Sequence, residues 1–91
     1  MANQIVLDIS KKLIGVTGRE NGRRIAKMQI LPAIKKLSLP VEIVFPDNIV
    51  LIGGSFIEGI EDALGTFYPP EIVKKQIGYK SMDLSINKEV K

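Results

Sequence analysis

The sequence predicts a small α/β domain, a single mixed β-sheet with helices packed on it. Three observations carry that expectation. Short apolar runs rich in β-branched residues are bounded by turn residues, as at Gln4–Ile9, Val41–Phe45 and Ile49–Gly53. Two longer stretches, Arg19–Leu37 and the segment from Ser55, place apolar residues at helical spacing instead. The two kinds of segment alternate along the chain, which favours one sheet covered by helices over separate all-α or all-β units.

Taken in order, "QIVLDI" reads as the first strand and "KKLIGVTG" as a second extended piece running into a turn. From Arg19 the residues Ile25, Met28, Leu31, Ile34 and Leu37 recur at roughly the helical period, so they are expected on one buried stripe. Thr17 and Glu20 have capping-box spacing for this helix, although Asn21-Gly22 suits a later start. Pro32 removes the amide that would bond the Met28 carbonyl, and a kink is expected there. "VEIVF" is a strand, Pro46-Asp47-Asn48 a turn, and "IVLIG" a short strand apolar on both faces, as suits a covered position.

From Ser55 the period changes. Phe56, Ile60, Ala63 and Phe67 form a stripe widened by Ile57 and Leu64, with Glu58, Glu61 and Asp62 opposite. Pro69-Pro70 ends that helix and primes a shorter one, "PEIVKKQI". "KSMDLSIN" alternates, with Met82, Leu84 and Ile86 on one face, and reads as a closing half-buried strand.

Composition limits the chemistry. The 91 residues fit one domain, residues 1–91, with 45% hydrophobic and 25% charged residues. There is no Cys and no His, which removes disulfides, thiolate nucleophiles, the usual general base and the commonest transition-metal ligand. Trp is absent as well. Catalysis would have to rest on carboxylates, Lys, Tyr or a hydroxyl, so a non-enzymatic role with no cofactor or metal is expected. Apolar runs reach only about five residues, against the ~20 that span a bilayer, and "MANQIVLDIS" lacks a signal-peptide pattern. The expectation is a cytoplasmic chain without a membrane partner. A net charge of +3 is a modest excess that does not by itself imply nucleic acid.

Four constellations remain as candidate sites. Gly53-Gly54-Ser55 lies between strand and helix, where backbone amides and a helix N-terminus favour an anion. No phosphate-loop or dinucleotide fingerprint follows it. Ser55 and Glu58 have the S-x-x-E spacing of a capping box, the reading preferred here, and a capping serine at an exposed helix start also remains open to phosphorylation or binding. Glu58, Glu61 and Asp62 read first as a solvated face and second as the acidic rim of a binding surface. Arg19, Arg23, Arg24 and Lys27, with Lys35 and Lys36, form a basic helix face on which anions or nucleic acid could be held, though no aromatic residues interleave with it. Tyr68 and Tyr79 are isolated phenols that suit partly buried positions.

The order of a helix ending "ILPAIKKL", the strand "VEIVF" and the junction "GGSFIEGIEDALG" resembles the STAS-like domain family, related to the sulfate-transporter and anti-sigma-factor-antagonist domain. The resemblance covers about Arg19 to Gly78. It implies a sheet flanked on one side by helices and a non-catalytic regulatory role. It also implies docking onto a histidine-kinase-like ATPase through the junction at Ser55, with phosphorylation releasing the partner. Gly53 and Gly54 stand where the antagonists carry an Asp and the phosphoacceptor, and Ser55 matches the second hydroxyl position. The implied docking face is Gly53, Gly54, Ser55, Phe56 and Glu58, edged by Glu61 and Asp62, with Phe56 as the apolar anchor if exposed. The alternatives from the residues alone are a nucleotide- or anion-binding module at Ser55 and a nucleic-acid binder using the basic helix.

Overall fold

The computed structural model of the protein describes residues 3–81. Strands β1 (Asn3–Val6), β3 (Val41–Phe45) and β5 (Ile77–Ser81) form a parallel sheet in the order β1-β3-β5. Strands β2 (Gly15–Val16) and β4 (Leu51–Ile52) form a second parallel ladder. The expected single mixed sheet is therefore corrected among the described residues to two ladders, all parallel. Each return in the larger sheet is made by helices, and a helical crossover brings the next strand back in the same direction. Of the strand expected at Lys80–Asn87, only its first residues fall in β5; Met82–Asn87 lie outside the described residues.

The two ladders join the same pair of chain segments. Paired residues differ by 38 in the first (Asn3↔Val41) and by 36 in the second (Gly15↔Leu51), so the first segment carries two extra residues between them. That excess is taken up in a turn where the Leu13 amide donates to the Ser10 carbonyl. Asn48 holds it from the other segment, its Nδ2 donating to the carbonyls of Ser10 (3.1 Å) and Leu13 (2.9 Å).

β1 and β3 are joined by one helical run with a change of winding in the middle: α1 (Arg19–Ile25), a π-helical turn (Ala26–Ile30) and α2 (Leu31–Ile34). The break expected at Pro32 is displaced upstream. The Leu31 amide bonds the Ala26 carbonyl across the wider π turn, and Pro32 then falls in the first turn of α2, where its missing donor is tolerated. The extra residue rotates the apolar stripe. Ala26, Ile30 and Ile34 are fully buried, whereas Met28, expected on the stripe, is exposed.

β3 and β5 are joined by α3 (Gly54–Leu64) and α4 (Pro70–Gln76). α3 stops at Leu64, so Phe67, expected on its stripe, sits in the following turn and is exposed. There it meets Tyr68 edge-on at 4.8 Å, with the Lys35 ammonium 5.8 Å from its ring centre.

The helices cover one face of the sheet. Ile5, Leu7, Ile43, Phe45 and Ile77 pack in one cluster with Ile30, Ile34, Phe56, Ile60, Leu64 and Val73. On the other face Gln4, Val6, Gly78 and Lys80 are exposed, and Gln4 Nε2 donates to Glu42 across the β1–β3 pairing. Phe45 and Phe56 join sheet to helix with ring centres 6.2 Å apart.

α1 and α3 lie against each other with backbone touching backbone. A Cβ at Gly22 would overlap the Phe56 carbonyl, and a Cβ at Gly59 would overlap the Arg19 carbonyl. Each helix presents its glycine where the other's main chain passes, and only glycine fits there.

Candidate functional site

The junction at Ser55 is built by two loops that enter α1 and α3 side by side. The Gly53 amide donates to the Val16 carbonyl at 2.8 Å, continuing the β2–β4 ladder, and a Cβ at Gly53 would press on Thr17. Gly18, at φ 93°, turns the chain into α1 from a backbone region closed to most side chains.

The expected capping box is not formed. Gly53, in an extended conformation, occupies the position before the first helical residue, and α3 begins at Gly54. The glycine pair thus starts the helix earlier than the S-x-x-E pattern required, leaving Ser55 inside the first turn. Its Oγ accepts a hydrogen bond from the Gly18 amide at 3.2 Å, so the hydroxyl tethers the start of the neighbouring helix rather than its own. Ser55 remains exposed. The Thr17–Glu20 box is likewise absent, with Gly18 preceding α1 and no side chain capping it.

The other residues of the expected docking face separate. Gly53 and Gly54 are half-buried, and Phe56 is 1% exposed, part of the core and no anchor. Glu58 and Asp62 are exposed on α3 and face Arg19 of α1. Arg19 Nε donates to Asp62 Oδ2 at 2.7 Å, while Glu58 stands 3.9 Å from the same guanidinium. The hydrogen bond to Asp62 and its charge hold the Arg19 pKa above its ordinary value.

Asp62 also draws Arg23 Nε to 3.8 Å, which divides the basic helix face. Arg19 and Arg23 turn toward carboxylates. Arg24 and Lys27 instead line a shallow concavity of about 360 Å³ with Glu20, Arg23 and Met28. Of the four expected basic residues, Arg23, Arg24 and Lys27 thus border one concavity, while Arg19 is paired with Asp62.

A second concavity, about 450 Å³, lies where α3 meets α4 and is lined by Arg19, Glu58, Glu61, Asp62, Thr66 and Lys74 among others. Partial burial raises the Glu61 pKa, Lys74 opposes that shift, and Glu58 and Asp62 add to it. No group of three or more metal-ligating side chains converges among the described residues. The hydroxyl of Tyr79 is buried with no hydrogen-bond partner among the described residues, and burial, followed by the charge of Glu61, pushes its pKa well up. A phenol so held keeps its proton and is a poor base or nucleophile.

Sequence reasoning missed three residues that shape this region. Gly22 and Gly59 interrupt two helical patterns, and an isolated glycine inside such a pattern is the one signal of a close approach. Gln29, on the π-helical turn, gives no signal at all. Its Oε1 accepts from the Asp8 amide at 2.7 Å and its Nε2 donates to the Asp8 carbonyl at 2.8 Å, so a side-chain amide replaces a neighbouring strand.

No family model matches the chain, and no match is found among curated proteins or solved structures. Among the described residues no helix is long and apolar enough to cross a membrane.

Proposed function

We propose that this protein is a non-catalytic regulatory module of the cytoplasm, of the STAS-like kind, that docks a protein partner through the junction at Ser55. The observation that carries this reading is the bond from the Gly18 amide to the exposed Ser55 hydroxyl. One accessible oxygen sits between the starts of two helices, so charge added at that oxygen reaches the surface on both sides. A phosphate or carboxylate there still offers the Gly18 amide an acceptor but adds negative charge to the face. The docking face consists of Gly53, Gly54 and Ser55 with Glu58 at its edge, and Phe56 supports it from beneath. The partner expected from the resemblance is a histidine-kinase-like ATPase.

The test is affinity capture from the source cells with the wild type, Ser55→Ala and Ser55→Asp, each first shown to be folded by circular dichroism. The reading expects an ATPase of that class on the wild type and on Ser55→Ala, and its loss from Ser55→Asp. The same proteins on all three would remove the junction from the interface.

A further inference from the structure

Three large apolar side chains are exposed around β2 and the π-helical turn. Leu13 is 46% exposed, Ile14 70% and Met28 69%. Leu13 and Met28, with Ile9, Val16, Ile25 and others, line a concavity of about 460 Å³, large enough to take one or two side chains of a ligand. No Asp or Glu lines it. Arg24 and Met28 also line the basic concavity that holds Arg23 and Lys27, so the apolar and basic hollows adjoin along these two side chains.

The basic rim is positioned. Arg24 Nη1 donates to Asn21 Oδ1 at 3.2 Å, and Asn21 Nδ2 in turn donates to the Thr17 carbonyl at 2.9 Å. Lys11 and Lys12 precede Leu13 in the exposed turn. The acids nearby are Glu20, on the basic side, and Asp8, whose main chain Gln29 engages.

One wall of the apolar hollow is a strand edge. The carbonyls of Ile14 and Val16 both accept from the β4 segment, from Val50 and Gly53 respectively, each at 2.8 Å. In a parallel ladder the intervening residue directs its own amide and carbonyl to the opposite side. Gly15, which lines the apolar hollow, therefore turns an unpaired N–H and C=O away from β4, and no described residue bonds them.

We propose that these adjoining hollows bind an extended acidic peptide segment of a partner protein. The segment adds to the open edge of β2 at Gly15, sets an apolar side chain among Leu13, Val16 and Met28, and places carboxylates on Arg24 and Lys27. Strand addition supplies main-chain bonds, alternate side chains fill the hollow, and the charges select an acidic sequence. This surface is distinct from the Ser55 junction, and the inference does not rest on the function proposed there.

The test is an amide NMR titration of the full chain with the peptide acetyl-Glu-Val-Glu-Leu-Glu-Val-Glu-amide, beside a counterpart carrying Lys in place of every Glu. Saturable shifts at the Gly15, Val16 and Met28 amides with the acidic peptide alone are expected. The double variant Arg24→Glu with Lys27→Glu should weaken that binding by about tenfold or more. Ser55→Asp should leave it unchanged, so failure of the junction reading and failure of this one are separable. The proposal is overturned by no shifts at millimolar peptide, by equal binding of the lysine peptide, or by shifts confined to other faces. It is also overturned if phosphatidylglycerol vesicles bind while the peptide does not.

Discussion

The seam between α1 and α3 and the corner at β2 are close neighbours in the fold and opposites in construction. At the seam, Gly22 and Gly59 remove side chains so that two backbones meet, and Arg19 with Asp62 bridges the rim. Nothing can enter. At the corner, two extra residues in the first strand segment throw Leu13 and Ile14 outward, the π-helical turn exposes Met28, and Gly15 keeps an unpaired edge. The contrast teaches where this small domain keeps its stability and where it keeps room for a partner. A closed contact tolerates no added atom, whereas an open one tolerates many and answers chiefly in binding.

That comparison can be broken most severely at the glycines. A single methyl at Gly22 or Gly59 forces two helices apart, and each alanine variant should lose about 3 kcal/mol or more, from a total of about 5–10 kcal/mol expected for a domain of this size. Urea unfolding measures it. The same change at Gly78, where a Cβ meets nothing within 4 Å, should be neutral or stabilising by up to about 0.5 kcal/mol. Equal losses at all three would deny the seam any special closeness.

Gln29→Ala comes next. It removes both hydrogen bonds to the Asp8 main chain at an exposed site, and a loss of about 1 kcal/mol is expected. Amide exchange should accelerate at Asp8 while the β1–β3 pairing stays protected.

A smaller effect is expected at Glu61. Its pKa is raised, so the folded state holds a proton more tightly than the unfolded chain does. That contribution is fully present below the unfolded carboxylate pKa and is lost as pH rises through the folded one. Glu61→Gln should therefore stabilise the protein at neutral pH, by less than about 1 kcal/mol after solvent screening. The gain should vanish in acid, as thermal unfolding at the two pH values would register. The smallest change is expected from Arg19→Gln. The pair with Asp62 is exposed and screened by solvent and salt, so any shift in melting temperature should disappear at high ionic strength.

Much of the fold was legible because it rests on local period. Ile5, the apolar residues of Val41–Phe45 and the stripe of Phe56, Ile60 and Ala63 announce strand or helix by their own spacing, and all of them are buried. What the spacing could not reveal came from a local change of winding and from contacts distant in sequence. The π-helical turn, forming ahead of Pro32, rotated Met28 out of the core. The strand direction followed from crossovers rather than from any strand's own residues. At the candidate site, the sequence marked Ser55 as a residue that bonds a helix start, but not which one. Its partner, Gly18, is 37 positions away. Phe56 illustrates the same limit, since a place on the helical stripe favoured burial while only the packing against Phe45 decided it.

The most direct measurement is urea unfolding of Gly59→Ala beside Met28→Asp. One adds a methyl to the closed seam; the other places a charge on the open corner. The account predicts a loss of about 3 kcal/mol or more for the glycine variant and a change within about 0.5 kcal/mol for the methionine variant. A stable Gly59→Ala protein, or a Met28→Asp protein that unfolds as readily as Gly59→Ala, would contradict it.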